Sequence, residues 1–405
     1  MHTKMYLLER LTSLIGILVI VLLLFLCSKS RKLVSWRLIL IGLSIQLLIP
    51  LFMFKTSVGV FLIGLIQTIS LKLVGFSSVG ASYIFGNNYA DCFALKVIPA
   101  IIFFSCLMSI LFYLGVLQKI IKFFALIMYK SLKISGAESL VASANMFFGV
   151  TVAPLVVFPY ISKMTTSELF VLMVSGMATI GGGVFAAYVN MGFNATHLVC
   201  ATVMSIPSAL VVAKLLIPED SVPETIDSCH IALTNDAVNV FDAACKGAER
   251  GLKLALTVMA VLLAFVSVIA LINSLFSILP DGFGGQLTLQ RIMGYILSPI
   301  ALIMGVEMKD VLPVASTLGV KVIAGDFLGY LELMKLKDVI SDRSYTLAIY
   351  ALCGFSNLAT IGLLVGGVGS LVPERRKDFA KLGLKAMVAG FFASVLTACI
   401  VGIFL

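Results

Sequence analysis

Long apolar runs, separated by short polar gaps, dominate the hydrophobic pattern of this chain. A membrane-spanning helix needs about 20 consecutive apolar residues, and about eight runs approach or exceed that length. They are residues 11–27, 38–54, 96–117, 168–188, 197–217, 251–279, 345–371 and 384–405. The pattern therefore predicts an all-α polytopic membrane protein with about eight transmembrane helices.

The composition agrees with a membrane protein and argues against several other classes. Of 405 residues, 60% are hydrophobic and 12% are charged, whereas a soluble domain carries about 25% charged residues. Eight cysteines without a CxxC pair and three histidines indicate neither a disulfide framework nor a metal site. The sequence has no HExxH, no GxSxG and no paired catalytic carboxylates, so we do not expect an enzyme.

The net charge of +9 is concentrated in three basic clusters. The clusters are Lys29, Arg31, Lys32 and Arg37; Lys119, Lys122, Lys130 and Lys133; and Arg375, Arg376, Lys377, Lys381 and Lys385. Each cluster lies in or beside a gap between apolar runs, so the positive-inside rule places all three on the cytoplasmic face. They do not indicate a nucleic-acid surface. We expect a multi-pass membrane protein with its amino end outside.

Three further segments are predicted to lie along the membrane surface. Residues 57–93 are apolar but interrupted by Gly86-Asn87-Asn88, which favours an outer interfacial segment. Residues 118–133 alternate lysines with apolar residues at helical spacing, as a basic amphipathic helix does. Residues 290–309 resemble a second surface helix.

Glycine and proline interrupt two other apolar segments. The first, residues 139–162, has no charged residue but contains Asn145, Gly149, Thr151, Pro154 and Pro159. The second, about residues 311–340, contains Pro313, Gly319, Gly325 and Gly329. Broken backbone at membrane depth is tolerated only where protein surrounds it or where it lines a cavity. We predict two re-entrant hairpins; a kinked spanning helix is the alternative for the first.

A repeated order of elements organises the prediction. Ala178-Thr179-Ile180-Gly181 recurs as Ala359-Thr360-Ile361-Gly362, and each copy follows a broken segment and precedes another spanning helix. The order of surface helix, hairpin, interrupted helix and closing helix thus occurs twice, with an odd number of crossings between the copies. Such inverted repeats are typical of secondary transporters, whose site lies at the membrane midplane where the breaks meet.

The same order divides the chain into four parts. Residues 1–117 hold the N-terminal transmembrane helices and the outer interfacial segment. Residues 118–217 form the first repeat, residues 218–289 a cytoplasmic linker with a scaffold helix, and residues 290–405 the second repeat.

Few polar residues lie at membrane depth, and each has a functional and a structural interpretation. Asp326 is either part of a functional site, as intramembrane acids usually are, or the partner of Lys321 in an ion pair. Asn145 and Thr179 either supply oxygen ligands to a cation or tie helices together. Asn357 and Thr360 either bind a substrate hydroxyl or bind each other.

Motifs on both sides of these residues resemble the concentrative nucleoside transporter family. In the first half the matching stretches are Ser135-Gly136-Ala137-Glu138-Ser139, Ala144-Asn145-Met146-Phe147, Ala153-Pro154 and Lys163-Met164-Thr165. In the second half, Asp326-Phe327-Leu328-Gly329-Tyr330 is similar to Glu-Phe-Val-Ala-Tyr, and Cys353-Gly354-Phe355-Ser356-Asn357 is similar to Cys-Gly-Phe-Ala-Asn. The resemblance covers about residues 95–405.

This resemblance implies two re-entrant hairpins, a homotrimer in the lipid bilayer, and sodium or proton symport of nucleosides by an elevator-type movement. The implied sodium ligands are the side chains of Asn145 and Thr179 and the carbonyls of Phe148 and Ile180. The implied ribose-binding residues are Asp326, Asn357 and Thr360, and the implied packing residues are Phe355 and Val184. No cofactor is expected beyond the coupling ion.

The tip of the first hairpin departs from the family pattern. The family's Gly-Gln-Thr-Glu-Ala-Pro, which faces the nucleobase, is here Gly149-Val150-Thr151-Val152-Ala153-Pro154. Valines replace two polar side chains, and an unpaired polar edge of a buried substrate costs about 1–3 kcal/mol per group. We therefore expect common nucleosides to bind less well than in a typical member. Asp326 is also shorter than the glutamate usual at its position.

The sequence leads to one hypothesis with several alternatives. The first is a sodium-driven importer of nucleosides or of a riboside-like solute, in a bacterial cytoplasmic (inner) membrane. The alternatives are a proton-coupled transporter, a transporter for another polyol-bearing solute, and a substrate sensor that does not transport.

Overall fold

The computed structural model describes residues 2–150, 152–227, 237–278 and 287–405, and these ranges contain helices and no strand. The N-terminal helices are α1 His2–Leu26, α2 Trp36–Lys55, α3 Ser57–Phe85, α4 Phe93–Tyr113 and α5 Val116–Leu132. The next are α6 Gly136–Phe148, α7 Phe158–Ile161, α8 Thr166–Ala178, α9 Gly182–Asn190, α10 Ala195–Leu216 and α11 Val240–Phe276. The last are α12 Leu289–Ile303, α13 Val311–Ala324, α14 Asp326–Lys335, α15 Asp342–Leu352, α16 Leu358–Leu363, α17 Gly369–Leu371 and α18 Arg376–Gly402.

Eight helical stretches in the described ranges are long and apolar enough to cross a membrane, which confirms the all-α polytopic fold, and by length and composition their number equals the prediction. Their membership differs from the prediction in two places. Residues 345–371 do not form one helix, because α15 ends at Leu352 and α16 begins at Leu358. Residues 57–93 instead contain α3, a continuous helix of 29 residues, and the predicted glycine-asparagine interruption falls after its end.

Several loops gather at one end of the molecule, which we name the inner end: residues 27–35, 133–135, 162–165, 217–227 and 372–375. Here the Lys29 ammonium binds the Asp220 carboxylate (3.2 Å), and this hydrogen bond lowers the pKa of Asp220. The Arg375 guanidinium donates to the carbonyls of Ser162 and Met164 (3.0 and 2.7 Å). All three basic clusters begin or end at these loops.

The opposite end, named the outer end, comprises the loops at residues 191–194, 304–310, 336–341 and 403–405. The amide of Ser341 donates to the Asp310 carboxylate (3.0 Å). Arg343 in α15 donates to the carbonyl of Gly402 at the end of α18 (2.8 Å). The loops before α13 and before α15 therefore lie together.

Helix α3 lies at the outer end and makes no net crossing. The chain leaves the inner end through α2 and has returned to it by Ser135, after α4 and α5. Between them, Gln67 and Leu71 of α3 line a cavity with Phe193 and His197 of the outer end. The chain crosses to the outer end through α2 and returns through α4. Helix α3, which connects them, therefore stays on the outer side, the position predicted for an interfacial segment.

The two re-entrant hairpins are confirmed, and they enter from opposite ends. Hairpin 1, α6 to α7, begins after Ser135 and ends at Ile161, both at the inner end. Hairpin 2, α13 and α14, begins and ends at the outer end. The tips are Gly149 (φ 70°) and Gly325 (φ 107°), conformations that favour glycine.

The repeated order of elements is present, but the repeated tetrapeptide is not part of it. Ala178-Thr179-Ile180-Gly181 spans the break between α8 and α9, whereas Ala359-Thr360-Ile361-Gly362 lies inside α16. The equivalent break in the second repeat is Cys353–Asn357. The recurrence of these four letters is therefore a coincidence of composition, and the order of elements is the true sign of the repeat.

Buried charges fasten hairpin 1 to its neighbours at the inner end. Lys214 of α10 binds Glu138 of α6 (2.5 Å) and Glu219 (3.0 Å). Ser135, the N-cap of α6, donates to Glu168 at the start of α8 (2.6 Å). Because a buried ion pair is costly to break, hairpin 1, α8 and α10 form one unit.

Candidate functional site

The two interrupted helices cross where both are broken. A Cβ atom built on Gly354, in the break before α16, would lie 2.8 Å from the carbonyl carbon of Ala178, the last residue of α8. The two backbones are thus in direct contact, and the φ of Gly354 is 136°. This position requires glycine, because any side chain would collide with the other break.

Each hairpin tip reaches one of these breaks. A Cβ atom on Gly149 would lie 3.3 Å from the Cα of Gly181, in the first break. One on Gly325 would lie 3.6 Å from the side-chain nitrogen of Asn357, in the second break. Both tips and both breaks therefore converge inside the protein.

Asn145 presents an unsatisfied oxygen at the first break. Its Nδ2 donates to the hydroxyl of Ser175 (2.9 Å), but its Oδ1 is buried and has no hydrogen-bond partner among the described residues. The hydroxyl of Thr179 donates to the carbonyl of Ser175 (2.9 Å), which leaves its lone pairs available. Buried polar atoms are rarely unpaired, so this oxygen is an acceptor suited to coordinate a cation.

The backbone adds further oxygens at the same place. Helix α6 ends at Phe148 and α8 ends at Ala178, so their last carbonyls lie beyond the reach of regular helical bonds. A Cβ on Gly181 would lie 3.3 Å from the carbonyl carbon of Phe148, and Ile180 is adjacent to Gly181. The four sodium ligands that the resemblance implies are therefore neighbours, and oxygen atoms at helix C-terminal ends fit a sodium ion.

Asp326 begins α14 directly after the tip of hairpin 2. It is buried, and its Oδ2 accepts a hydrogen bond from the hydroxyl of Tyr188 in α9. Lys321, which the sequence offered as its ion-pair partner, donates to the carbonyl of Ala351 (2.7 Å). The carboxylate is held by a neutral group from the other repeat, at the positive N-terminal end of a helix.

Asn357 is the N-cap of α16, and its interactions leave a donor free for a solute. Its Oδ1 accepts from the amide and the hydroxyl of Thr360 (3.0 and 3.1 Å). The alternative that Asn357 and Thr360 bind each other is thus correct, and it orients the Nδ2 group of Asn357 toward the tip of hairpin 2. A carboxylate acceptor and an amide donor side by side suit a solute hydroxyl, which both donates and accepts.

The two residues expected to pack against a nucleoside lie in or next to these two breaks. Phe355 is half-buried in the link before α16. Val184 is buried on α9, one helical turn before Tyr188 and on the same face.

The structure separates the two valines of the hairpin 1 tip. Val150 is buried against α8, where a Cβ on Gly176 would lie 2.8 Å from its methyl carbon. Val152 lines a cleft of about 170 Å³ between hairpin 1 and the helices α4 and α11. Thr151, the third residue of the expected base-facing set, lies outside the described residues. Of the two valines, Val152 lines the cleft, whereas Val150 is buried against α8.

The cleft also contains polar residues that sequence reasoning missed. Ser105 and Ser109 of α4 and Arg250 of α11 line it, together with the glycines that begin α9. Arg250 stands ten residues into α11, about 15 Å along the helix, whereas the hydropathy pattern placed it in the linker. Tyr188 was also missed, since one tyrosine on an apolar helix resembles a core residue; its spacing of four from Val184 was the available signal.

Sequence comparisons relate the whole chain to one family. Models described as the N-terminus and C-terminus of Na+ dependent nucleoside transporters match residues 15–88 and 197–402, and a nucleoside recognition gate matches residues 94–193. Sodium/nucleoside cotransporter 1 of Rattus norvegicus is 38% identical over 98% of this chain. The chain spans 64% of that protein's length. An uncharacterized transporter of Haemophilus influenzae is 39% identical, over 98% of both chains.

Solved structures agree with the sequence comparisons. CNTnw in an inward-facing substrate-bound state is 38% identical, with a TM-score of 0.92 over 98% of each chain. A variant of CNTnw in an outward-facing state has a TM-score of 0.93, covering 98% of this chain and 99% of that one.

Proposed function

The chain belongs to the family of Na+-dependent nucleoside transporters, and from this premise we propose that it imports nucleosides, or a riboside-like solute, together with sodium. It is a multi-pass membrane protein and not an enzyme. The observation that carries the proposal is the meeting of two hairpin tips and two helix breaks around an unpaired amide oxygen and a buried carboxylate.

The ion part of the site is the first break. The Asn145 side chain, the Thr179 hydroxyl and the carbonyls of Phe148 and Ile180 would surround sodium with neutral oxygens. An inward membrane potential supplies about 2.3 kcal/mol per sodium charge per 100 mV. If sodium and the solute can cross the membrane only together, this energy drives the solute inward.

The solute part of the site is the second break. A ribose hydroxyl would donate to Asp326 and accept from the Asn357 amide, with Thr360 holding the amide in place. Phe355 and Val184 would pack against the apolar faces of the solute. Val152 would border the base, where it offers no hydrogen bond. The cleft that it lines does not include Asp326 or Asn357, so the base would have to extend from the second break toward hairpin 1 to reach it.

Two groups of helices support an elevator-type movement. Helices α4 and α11 pack through small residues, since a Cβ on Gly247 would lie 2.6 Å from Ser109. The hairpins, α8 and α10 form the other group. The two groups meet at the start of α9, where Gly182 faces Met108 and Gly183 faces Ser105. A contact lined by glycine lets one group slide along the other. In such a movement α4 and α11 would be the fixed group, and the resemblance to the family implies a homotrimer in the cytoplasmic membrane.

Purified protein in liposomes tests this proposal. Labelled uridine and inosine should accumulate under an inward sodium gradient, and uptake should fail when potassium replaces sodium. Accumulation under a proton gradient without sodium would identify a proton symporter instead. Counterflow of labelled solute separates a transporter from a sensor, because a sensor binds without exchange. Failure of every nucleoside and riboside to bind in a thermal-shift screen would refute the substrate class.

A further inference from the structure

The tips of the two hairpins correspond residue by residue. In hairpin 1 the amide of Gly149 donates to the carbonyl of Asn145 (3.0 Å), and in hairpin 2 the amide of Gly325 donates to the carbonyl of Lys321 (2.9 Å). Each side chain therefore stands four residues before a glycine with positive φ, in the last turn of the entering helix. Lys321 holds in the second repeat the position that Asn145 holds in the first.

The surroundings of the two side chains correspond as well. Asn145 contacts Ser175, in the last turn of α8 before the first break. The Lys321 ammonium donates to the carbonyl of Ala351 (2.7 Å), in the last turn of α15 before the second break. Each side chain thus faces the C-terminal ends of two helices, its own and the interrupted one, where backbone dipoles favour a positive charge.

Lys321 is completely enclosed, which is costly for a charged side chain unless other groups compensate it. The Phe391 ring lies 5.7 Å from its nitrogen, a distance at which aromatic faces attract cations. The Asp326 carboxylate, buried five residues further on at the start of α14, carries the opposite charge. A carbonyl, an aromatic face and a carboxylate are partners that a bound metal cation would also take.

We propose that the Lys321 ammonium is a tethered cation, which fills in the second repeat the place that corresponds to the sodium site of the first. The inference rests on the proposed function, since it takes Asn145 as a sodium ligand. The inverted repeat creates two cation-attracting places, and the protein leaves one open to sodium and closes the other with its own charge. Asp326 consequently keeps a positive neighbour whether or not sodium is bound.

The substitution Lys321→Asn tests this proposal by giving the second repeat the side chain of the first. It should open a second sodium site. The Hill coefficient for sodium in solute binding should rise above the wild-type value, and the charge moved per solute in liposomes should increase by one unit. Lys321→Met removes the ammonium without supplying an oxygen, so it should weaken solute binding at every sodium concentration.

The reciprocal substitution Asn145→Lys should fill the first site, so that solute binding no longer depends on sodium. Lys335→Asn is the matched control, because Lys335 is an exposed lysine of hairpin 2 that binds Glu332, and its sodium dependence should equal that of the wild type. Solute binding to purified protein and melting temperatures with sodium alone provide readouts besides transport.

The outcomes separate this inference from the proposed function. A wild-type protein whose nucleoside binding ignores sodium would overturn both. Sodium-dependent wild-type binding together with an unchanged Hill coefficient in Lys321→Asn would overturn the tethered cation alone. The tethered cation would also be refuted if Lys321→Met behaves like Lys321→Asn, because the oxygen ligand then makes no difference.

Discussion

The two helix breaks share one backbone design but place their polar side chains at opposite helix ends. In the first repeat, Asn145 and Thr179 lie at the C-terminal ends of α6 and α8. In the second, Asp326 and Asn357 lie at the N-terminal starts of α14 and α16. Helix C-terminal ends attract cations and N-terminal ends stabilise anionic groups. The first break is thus suited to an ion and the second to a carboxylate that binds hydroxyls.

The repeat therefore supplies the arrangement of helix ends, and the side chains at those ends determine which ligand each break can bind. Duplication of a hairpin and a broken helix produces the same set of helix ends twice. The choice of Asn145 against Lys321, and of Gly149-Val150 against Gly325-Asp326, then decides which end is used. Tyr188 joins the two halves, since it belongs to α9 of the first repeat and binds Asp326 of the second.

The largest effect should come from Asp326→Asn, which removes the charge from the solute half. Hydrogen bonds to a charged group contribute roughly 1.5–3 kcal/mol, so solute affinity should fall by about 10–100-fold. Sodium binding without solute should change much less. Asp338→Asn, in the exposed loop that follows hairpin 2, is the control. Undiminished uptake by Asp326→Asn would remove this carboxylate from the site.

The second substitution, Tyr188→Phe, cuts the link between the halves. It deletes only the hydroxyl that orients Asp326, and it should raise the solute KM by roughly fivefold, corresponding to about 1 kcal/mol, with little change in maximal rate. Tyr330→Phe is the control, because that hydroxyl donates to the Ile349 carbonyl within the same aromatic cluster. If both variants raise KM equally, the effect belongs to the cluster and not to Asp326.

A smaller effect is expected at the ion half, from Thr179→Val. The substitution keeps the shape and removes one oxygen, at a cost of about 1 kcal/mol. The sodium concentration for half-maximal solute binding should rise by roughly fivefold, while saturating sodium restores binding. Thr397→Val removes a comparable buried hydroxyl, which donates to the Ala393 carbonyl, and should leave sodium dependence unchanged. An unaltered sodium curve for Thr179→Val would assign the ion to another place.

The smallest effect concerns the valines of hairpin 1. Val152→Gln should gain up to about 1 kcal/mol in affinity for uridine or inosine if one hydrogen bond forms across the cleft. Val150→Gln should lower the melting temperature without such a gain, because Val150 packs on Gly176. Titrations of both variants compare the two positions directly. A gain from Val150→Gln would show that this side chain, too, reaches the solute.

Much of the fold and part of the site could be predicted from the sequence. The apolar runs led to the polytopic class, and glycine and proline interruptions predicted both hairpins, although only the structure shows that Gly149 and Gly325 form their tips. The repeat itself was predicted correctly, but the tetrapeptide at Ala178–Gly181 does not mark equivalent positions in its two halves, since the second copy lies inside α16. The continuous α3 was not expected, because Gly86-Asn87-Asn88 predicts an interruption within residues 57–93, whereas this tripeptide follows the end of the helix at Phe85.

The features that could be derived from the sequence are those that each segment has independently of the others. Hydrophobic length, unpaired backbone at glycine and proline, and basic loops act on one segment at a time in contact with lipid or water, so no partner is needed to read them. Tertiary structure alone decided which side chains meet. Tyr188 and Asp326 are 138 residues apart, and the correspondence of Lys321 with Asn145 depends on the shared geometry of the two hairpins. Such contacts depend on how separate helices pack, which no single segment determines.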